Sequence, residues 1–481
     1  MSLKILSKDF SFYGLIDILQ RSIGFILIPY YTRRLTPSEF GEYDIFIVIS
    51  AFLFVLIDLQ IIAGFNRFYH EFKSTIEKQK LIGSVILLRL ILGLILALVF
   101  YLAGYLGYLE SVYFPSFYNN RINWMMIVLF PISTSLFDAL IAQSRMSRNK
   151  LGFALPSLIS VFFSSIGAII TIEVYNLGIS GILLSLLLGK FSASLISYFV
   201  QKKEIKLTLD LKLLKIISSY CFQLIPGWWL VFLSVYFARF FVYGQLGAEF
   251  NAILSVTMKS LMVINIFTLS FRTAWYPIAM SYIGNSNSNN FYILSNRIFS
   301  LSLLFILFAS TFLIDFIIDI ALPESYQLIT MIFPLFITST VISELELNIQ
   351  LGNQLAKKTI WISIGSLMYF VSSMFIILNY TNEYKIYAIG FSLLIPSLFK
   401  FVITYCSSQY FWHINYSKKT LISFFLGSFT IMLYSYFRHI NLLSNLELKI
   451  LLFIIGLFLF FFANQKSDFI KVYNIIKKKY S

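Results

Sequence analysis

Five cationic side chains, Arg21, Arg89, Lys190, Lys259 and Lys400, lie in the middle of long apolar stretches of this sequence. A charge held that deep in hydrocarbon is costly, and it is kept where it faces a bundle interior or a water-filled cavity. The chemistry open to such groups is to hold an anion away from lipid. Gly14, Asp17, Arg21 and Gly24 follow one another at spacings of 3, 4 and 3 and so share one helix face. Two readings stand for Asp17 and Arg21: an anion contact beside a protonatable carboxyl, or an i,i+4 ion pair that neutralises itself and fixes packing. Lys259, with Ser255 one turn before it, is too deep in its apolar window to snorkel comfortably to the headgroups. It is expected to face an aqueous cavity. Arg89, Lys190 and Lys400 are substrate contacts or structural cations.

Carboxylates supply the other half of this chemistry. Asp17, Asp58 and Glu344 are the candidates for carrying a coupling ion, with Asp44, Asp138 and Glu346 behind them. The alternative for each is to neutralise a buried cation, or, for Asp44 and Asp138, to sit near the surface. Pro131, Pro226 and Pro334 each remove a backbone hydrogen bond inside an apolar run and are candidate hinges, although lipid-embedded helices tolerate proline for other reasons. Cys221 and Cys406 lack a metal-ligand spacing and read as packed thiols, so neither a metal site nor a catalytic residue is expected.

These residues need membrane helices to position them. At 58% hydrophobic and 12% charged over 481 residues the chain is more apolar than a soluble domain, and its mean hydropathy is +0.81. Runs of about 20 apolar residues, enough to cross a bilayer, recur about fourteen times, the first at 10–31 and the last at 446–463. The first run is too long for a cleavable signal and is followed by Arg33-Arg34, so it is expected to stay in the protein.

The chain also looks duplicated. Ser38-Glu39-Phe40 is answered 210 positions later by Ala248-Glu249-Phe250, and Lys190-Phe191 by Lys400-Phe401 at the same offset. This predicts an all-α polytopic membrane protein: two pseudo-symmetric six-helix bundles, 1–200 and 216–412, a cytoplasmic linker at 201–215, and a further helix pair with a basic tail at 413–481. Placing the N-terminus inside leaves only Arg33, Arg34, Arg121, Arg239, Lys385, Arg438 and Lys449 outside, which puts both termini in the cytoplasm. The net charge of +15 then points to anionic membrane lipids, not to nucleic acid.

The opening helix with its arginine, the turn Arg34-Leu35-Thr36-Pro37-Ser38-Glu39-Phe40-Gly41-Glu42-Tyr43, the repeated halves and the basic inside loops resemble the polysaccharide-export branch of the MOP flippase superfamily, most of all the O-antigen flippases (Wzx-type). The likeness covers essentially the whole chain, and the turn is its sharp motif. It implies a V-shaped, cation-lined cavity that moves an undecaprenyl-pyrophosphate-linked oligosaccharide outward across the inner membrane, without covalent change. Lipid II flippases of the superfamily carry arginines in the first and eighth helices; Arg21 matches, while Lys259 keeps only the charge and loses the bidentate fork. Coupling to a proton or sodium gradient is expected, with a polysaccharide polymerase and chain-length proteins as pathway partners. Two rivals stand: a MATE-type drug or organic-ion exporter, and a membrane-embedded polymerase or glycosyltransferase, which would ordinarily need a sizeable outer catalytic segment.

Overall fold

In hydrocarbon every backbone N–H and C=O must be paired, and a continuous apolar run of about 20 residues does so within its own segment as a helix. The computed structural model describes residues 3–69, 71–105, 121–281, 288–356, 358, 360–439 and 445–463, and the regular structure among them is helical. Eleven helices among the described residues are long and apolar enough to cross a membrane. The windows at 10–31, 216–240 and 446–463 are helical too but are not among those eleven. The basic tail beyond position 463 lies outside the described residues. The chain divides into two compact units, Met1–Ala252 and Ile253–Ser481.

The first unit comprises α1 (Leu3–Arg34), α2 (Pro37–Asp58), the short α3 (Ile61–Phe68), α4 (Thr75–Tyr105), α5 (Arg121–Ser147), α6 (Lys150–Glu173), α7 (Gly178–Gln201) and α8 (Leu211–Leu246). Its sharp turn has a local cause. Thr36 caps α2, its hydroxyl accepting from Glu39 N at 3.3 Å while Glu39 Oε2 accepts from Thr36 N at 2.8 Å, and Pro37 takes the first helical position, where no N–H is needed. Leu59 and Gln60 then turn the chain through left-handed φ values of 43° and 57° into α3. Helix α6 packs along α7, and α5 packs against α2, α4 and α7. Ile45, Ile49, Ile127 and Leu183 form one buried cluster, and Phe65, Leu81, Val85, Leu140 and Ile217 another.

The two copies of the turn meet. Asn251 Nδ2 donates to Gly41 O at 3.0 Å across 210 residues, and a Cβ at Gly41 would stand 1.9 Å from Ala248 O. Only glycine allows that approach.

The second unit comprises most of α9 (Ala248–Ser260), then α10 (Met262–Ser281), α11 (Ser288–Ala321), α12 (Ile329–Ile349), the single turn α13 (Leu351–Leu355), α14 (Ile360–Tyr384), α15 (Ile386–Phe411), α16 (Lys418–His439) and α17 (Asn445–Ala463). Helix α12 is the most enclosed of those eleven spans, with α11, α15 and α16 packed on it. The last two helices are bound to α11 by charge. Asp315 accepts from Arg438 Nη1 at 2.8 Å and meets Lys449 Nζ at 2.8 Å, while Arg297 Nη2 donates to Ala463 O at 2.7 Å.

Candidate functional site

Asp17 and Arg21 stand on α1, but their side chains lie outside the described ones. Apart from Lys259, the remaining charged intramembrane candidates fall into one polar group in each unit.

In the first unit the cluster is built around Arg89, halfway along α4 and fully buried. Its Nη2 pairs with Asp58 Oδ1 at the end of α2, while Nη1 meets Asp138 Oδ2 at 3.1 Å and donates to Ser135 O at 2.9 Å on α5. Three helices are thus held by one guanidinium, whose planar fork suits two acceptors at once. The two carboxylates differ in exposure: the side chain of Asp58 is 10% exposed and that of Asp138 43%. Asp138 is therefore the less enclosed of the two. Lys190, on α7, reaches the same place from the other side, its Nζ 4.1 Å from the centre of the Phe137 ring and within the field of Asp138.

In the second unit α12 carries Glu344 and Glu346, two residues apart and therefore on different faces. Each has its own cation: Arg272 Nη2 of α10 lies 3.4 Å from Glu344 Oε2, and Lys400 Nζ of α15 lies 3.1 Å from Glu346 Oε2. Thr404 Oγ1, one turn beyond Lys400, donates to Glu346 Oε1 at 2.8 Å. Lys190 and Lys400, related by the repeat, thus face α5 and α12 respectively, the helices that carry Pro131 and Pro334.

Lys259 occupies the last turn of α9, half-buried, one turn after the fully buried Ser255. The helix is interrupted at Leu261 and resumes as α10. A cation is favourable at a helix C-terminus, and interrupted membrane helices are where transporters turn backbone groups toward a cavity. Pro131 and Pro334 are buried inside α5 and α12, whereas Pro226 is exposed inside α8.

Sequence reasoning missed most of these pairings. Asp44, weighed as a near-surface residue, is fully buried and lies 3.4 Å from Arg239, and Arg272, counted among the inside-facing charges, sits within α10 against Glu344. The usable signal was sign: a carboxylate within an apolar window requires a cation from another helix.

The helical arrangement is the fold of solved MOP superfamily structures. The chain is similar in structure to the lipid II flippase MurJ in its inward closed conformation, at TM-score 0.66 and 16% identity over 94% of this chain and 97% of that one. It is also similar to a MOP superfamily transporter from Pyrococcus furiosus, at TM-score 0.52 and 15% identity over 84% of this chain and 94% of that one. A mutant of the Vibrio cholerae MATE transporter VcmN has TM-score 0.50 and 16% identity over 84% of this chain and 94% of that one. No curated protein matches the sequence. The family model described as polysaccharide biosynthesis protein matches residues 6–283, and the chain belongs to that family.

Proposed function

We propose that this protein is a flippase that moves undecaprenyl-pyrophosphate-linked glycan repeat units, of an O-antigen or related surface polysaccharide, from the cytoplasmic to the periplasmic leaflet of the inner membrane by alternating access. The observation that carries the proposal is membership of the polysaccharide biosynthesis family in a chain whose fold matches a lipid II flippase over 94% of its length. A pyrophosphate does not cross hydrocarbon unaided, and cations within the membrane are the groups that lower its cost there. Arg21 and Lys259 hold the pyrophosphate, and a carboxylate, Asp17 or the partly exposed Asp138, couples the movement to protons or sodium. A MATE-type exporter of organic cations shares the fold, but cationic contacts of this kind suit the opposite cargo.

Depleting the protein from its cell should leave intact lipid-linked repeat units in the cytoplasmic leaflet, out of reach of a periplasmic probe. Units that reach the outer leaflet at the normal rate and only fail to be joined would replace this reading with a polymerase. Arg21→Ala and Lys259→Gln should each lower export by about tenfold or more, the scale of one lost charged hydrogen bond, at unchanged protein level. Lys259→Arg should keep export, and equal export by Lys259→Arg and Lys259→Gln would remove Lys259 from the substrate contacts.

A further inference from the structure

Where α4 begins and α5 and α7 end, the first unit holds a cavity of about 490 Å³. Lys78, Arg148 and Lys203 line it, with Glu204, Gln143 and Tyr69 among their neighbours. The carboxylate is already engaged: Glu204 Oε2 accepts from Gln143 Nε2 at 3.2 Å and Oε1 from Asn149 Nδ2 at 3.1 Å. Three cations against this one carboxylate leave the lining net positive.

Gln143 adds a second, independent feature. It is 2% exposed, and its donation to Glu204 assigns the amide orientation, leaving Oε1 as an acceptor with no hydrogen-bond partner. Tyr69, with Lys78 Nζ 5.1 Å from its ring centre, is buried, and burial pushes its phenol pKa up, so the hydroxyl keeps its proton at neutral pH. The cavity thus offers cations and a buried acceptor in a volume far larger than the roughly 30 Å³ a water takes up. Cations take a phosphate; the orphaned acceptor takes a hydroxyl.

We propose that this cavity binds the hydroxyl-bearing phosphate ester headgroup of an anionic phospholipid. The lining residues sit at helix ends, on the side that the Lys and Arg distribution assigns to the cytoplasm, where basic pockets between membrane helices meet the negatively charged leaflet. Lys203 and Glu204 also open the linker, which α4 holds through Lys206 N donating to Gln79 O at 3.1 Å and Ser84 Oγ donating to Thr208 O at 2.7 Å. A headgroup bound here joins α4, α5 and the linker.

The site is independent of the transport reading and is tested by binding alone. Full-length protein in phosphatidylcholine nanodiscs is titrated with phosphatidylglycerol, phosphatidic acid and free glycerol phosphate, and bound lipid is read by native mass spectrometry. Phosphatidylglycerol should bind in preference to phosphatidylcholine, and the double variant Lys78→Gln/Lys203→Gln should weaken it by roughly thirtyfold, at about one interfacial charge's worth per lysine. Gln143→Met should erase the preference for phosphatidylglycerol over phosphatidic acid, and Lys78→Arg/Lys203→Arg should restore what the glutamines lose. Unchanged binding by the glutamine variant, no restoration by arginine, or binding of glycerol phosphate without any lipid would each overturn the proposal.

Discussion

Arg89 shows what a cation in the middle of a membrane helix requires of its surroundings. It is fully buried and pairs with Asp58 from a second helix and Asp138 from a third. Breaking a buried pair from one side leaves the other charge without compensation, at about 3–5 kcal/mol. Arg89→Gln should therefore lower the thermal stability of the purified full chain sharply, and adding Asp58→Asn should recover part of the loss. A single variant as stable as the parent would mean that water, not Arg89, solvates Asp58. The sequence made the individual charges visible, because each interrupts an apolar run. It did not make their partners visible: Arg89 and Asp58 are 31 residues apart and Arg272 and Glu344 lie on separate helices, so no local spacing joins them.

Elements were more legible than pairs, because a bilayer-length apolar run has only one way to satisfy its backbone. The turn after Arg34 carried its own explanation, since threonine, proline and glutamate at successive capping positions specify where α2 starts. Thr36→Ala should cost about 1 kcal/mol, measured as a lower melting temperature of the purified chain, whereas Thr36→Ser should be nearly neutral. The break between α9 and α10 was not legible. Ser260-Leu261-Met262 contains neither glycine nor proline, and the run there stays apolar, so one window covered two helices. The interruption matters because it places Lys259 at a helix end rather than in the middle of a continuous span.

Orientation belongs to the whole molecule, since it follows from the sum of Lys and Arg over all loops and not from any one of them. Reporters fused after Lys80, Lys215 and Lys358 should read as cytoplasmic and those near positions 118 and 382 as external; an external signal after Lys215 would overturn the expected bundle order. The duplication acts at the same scale, and the contact between Gly41 and Asn251 has a consequence for it. Two separate, identical subunits meeting about a two-fold axis must present the same residue twice. Two asparagines could not approach here, because the Ala248 carbonyl already occupies the space a side chain at position 41 would need, and two glycines would leave the Gly41 carbonyl without its donor. One continuous chain is free of that constraint, giving up a side chain in one copy so that the other copy's side chain can reach across. Exchanging the two residues, Gly41→Asn with Asn251→Gly, should therefore destabilise the protein more than Asn251→Gly alone, which marks the point at which a fused pair of halves has ceased to be interchangeable.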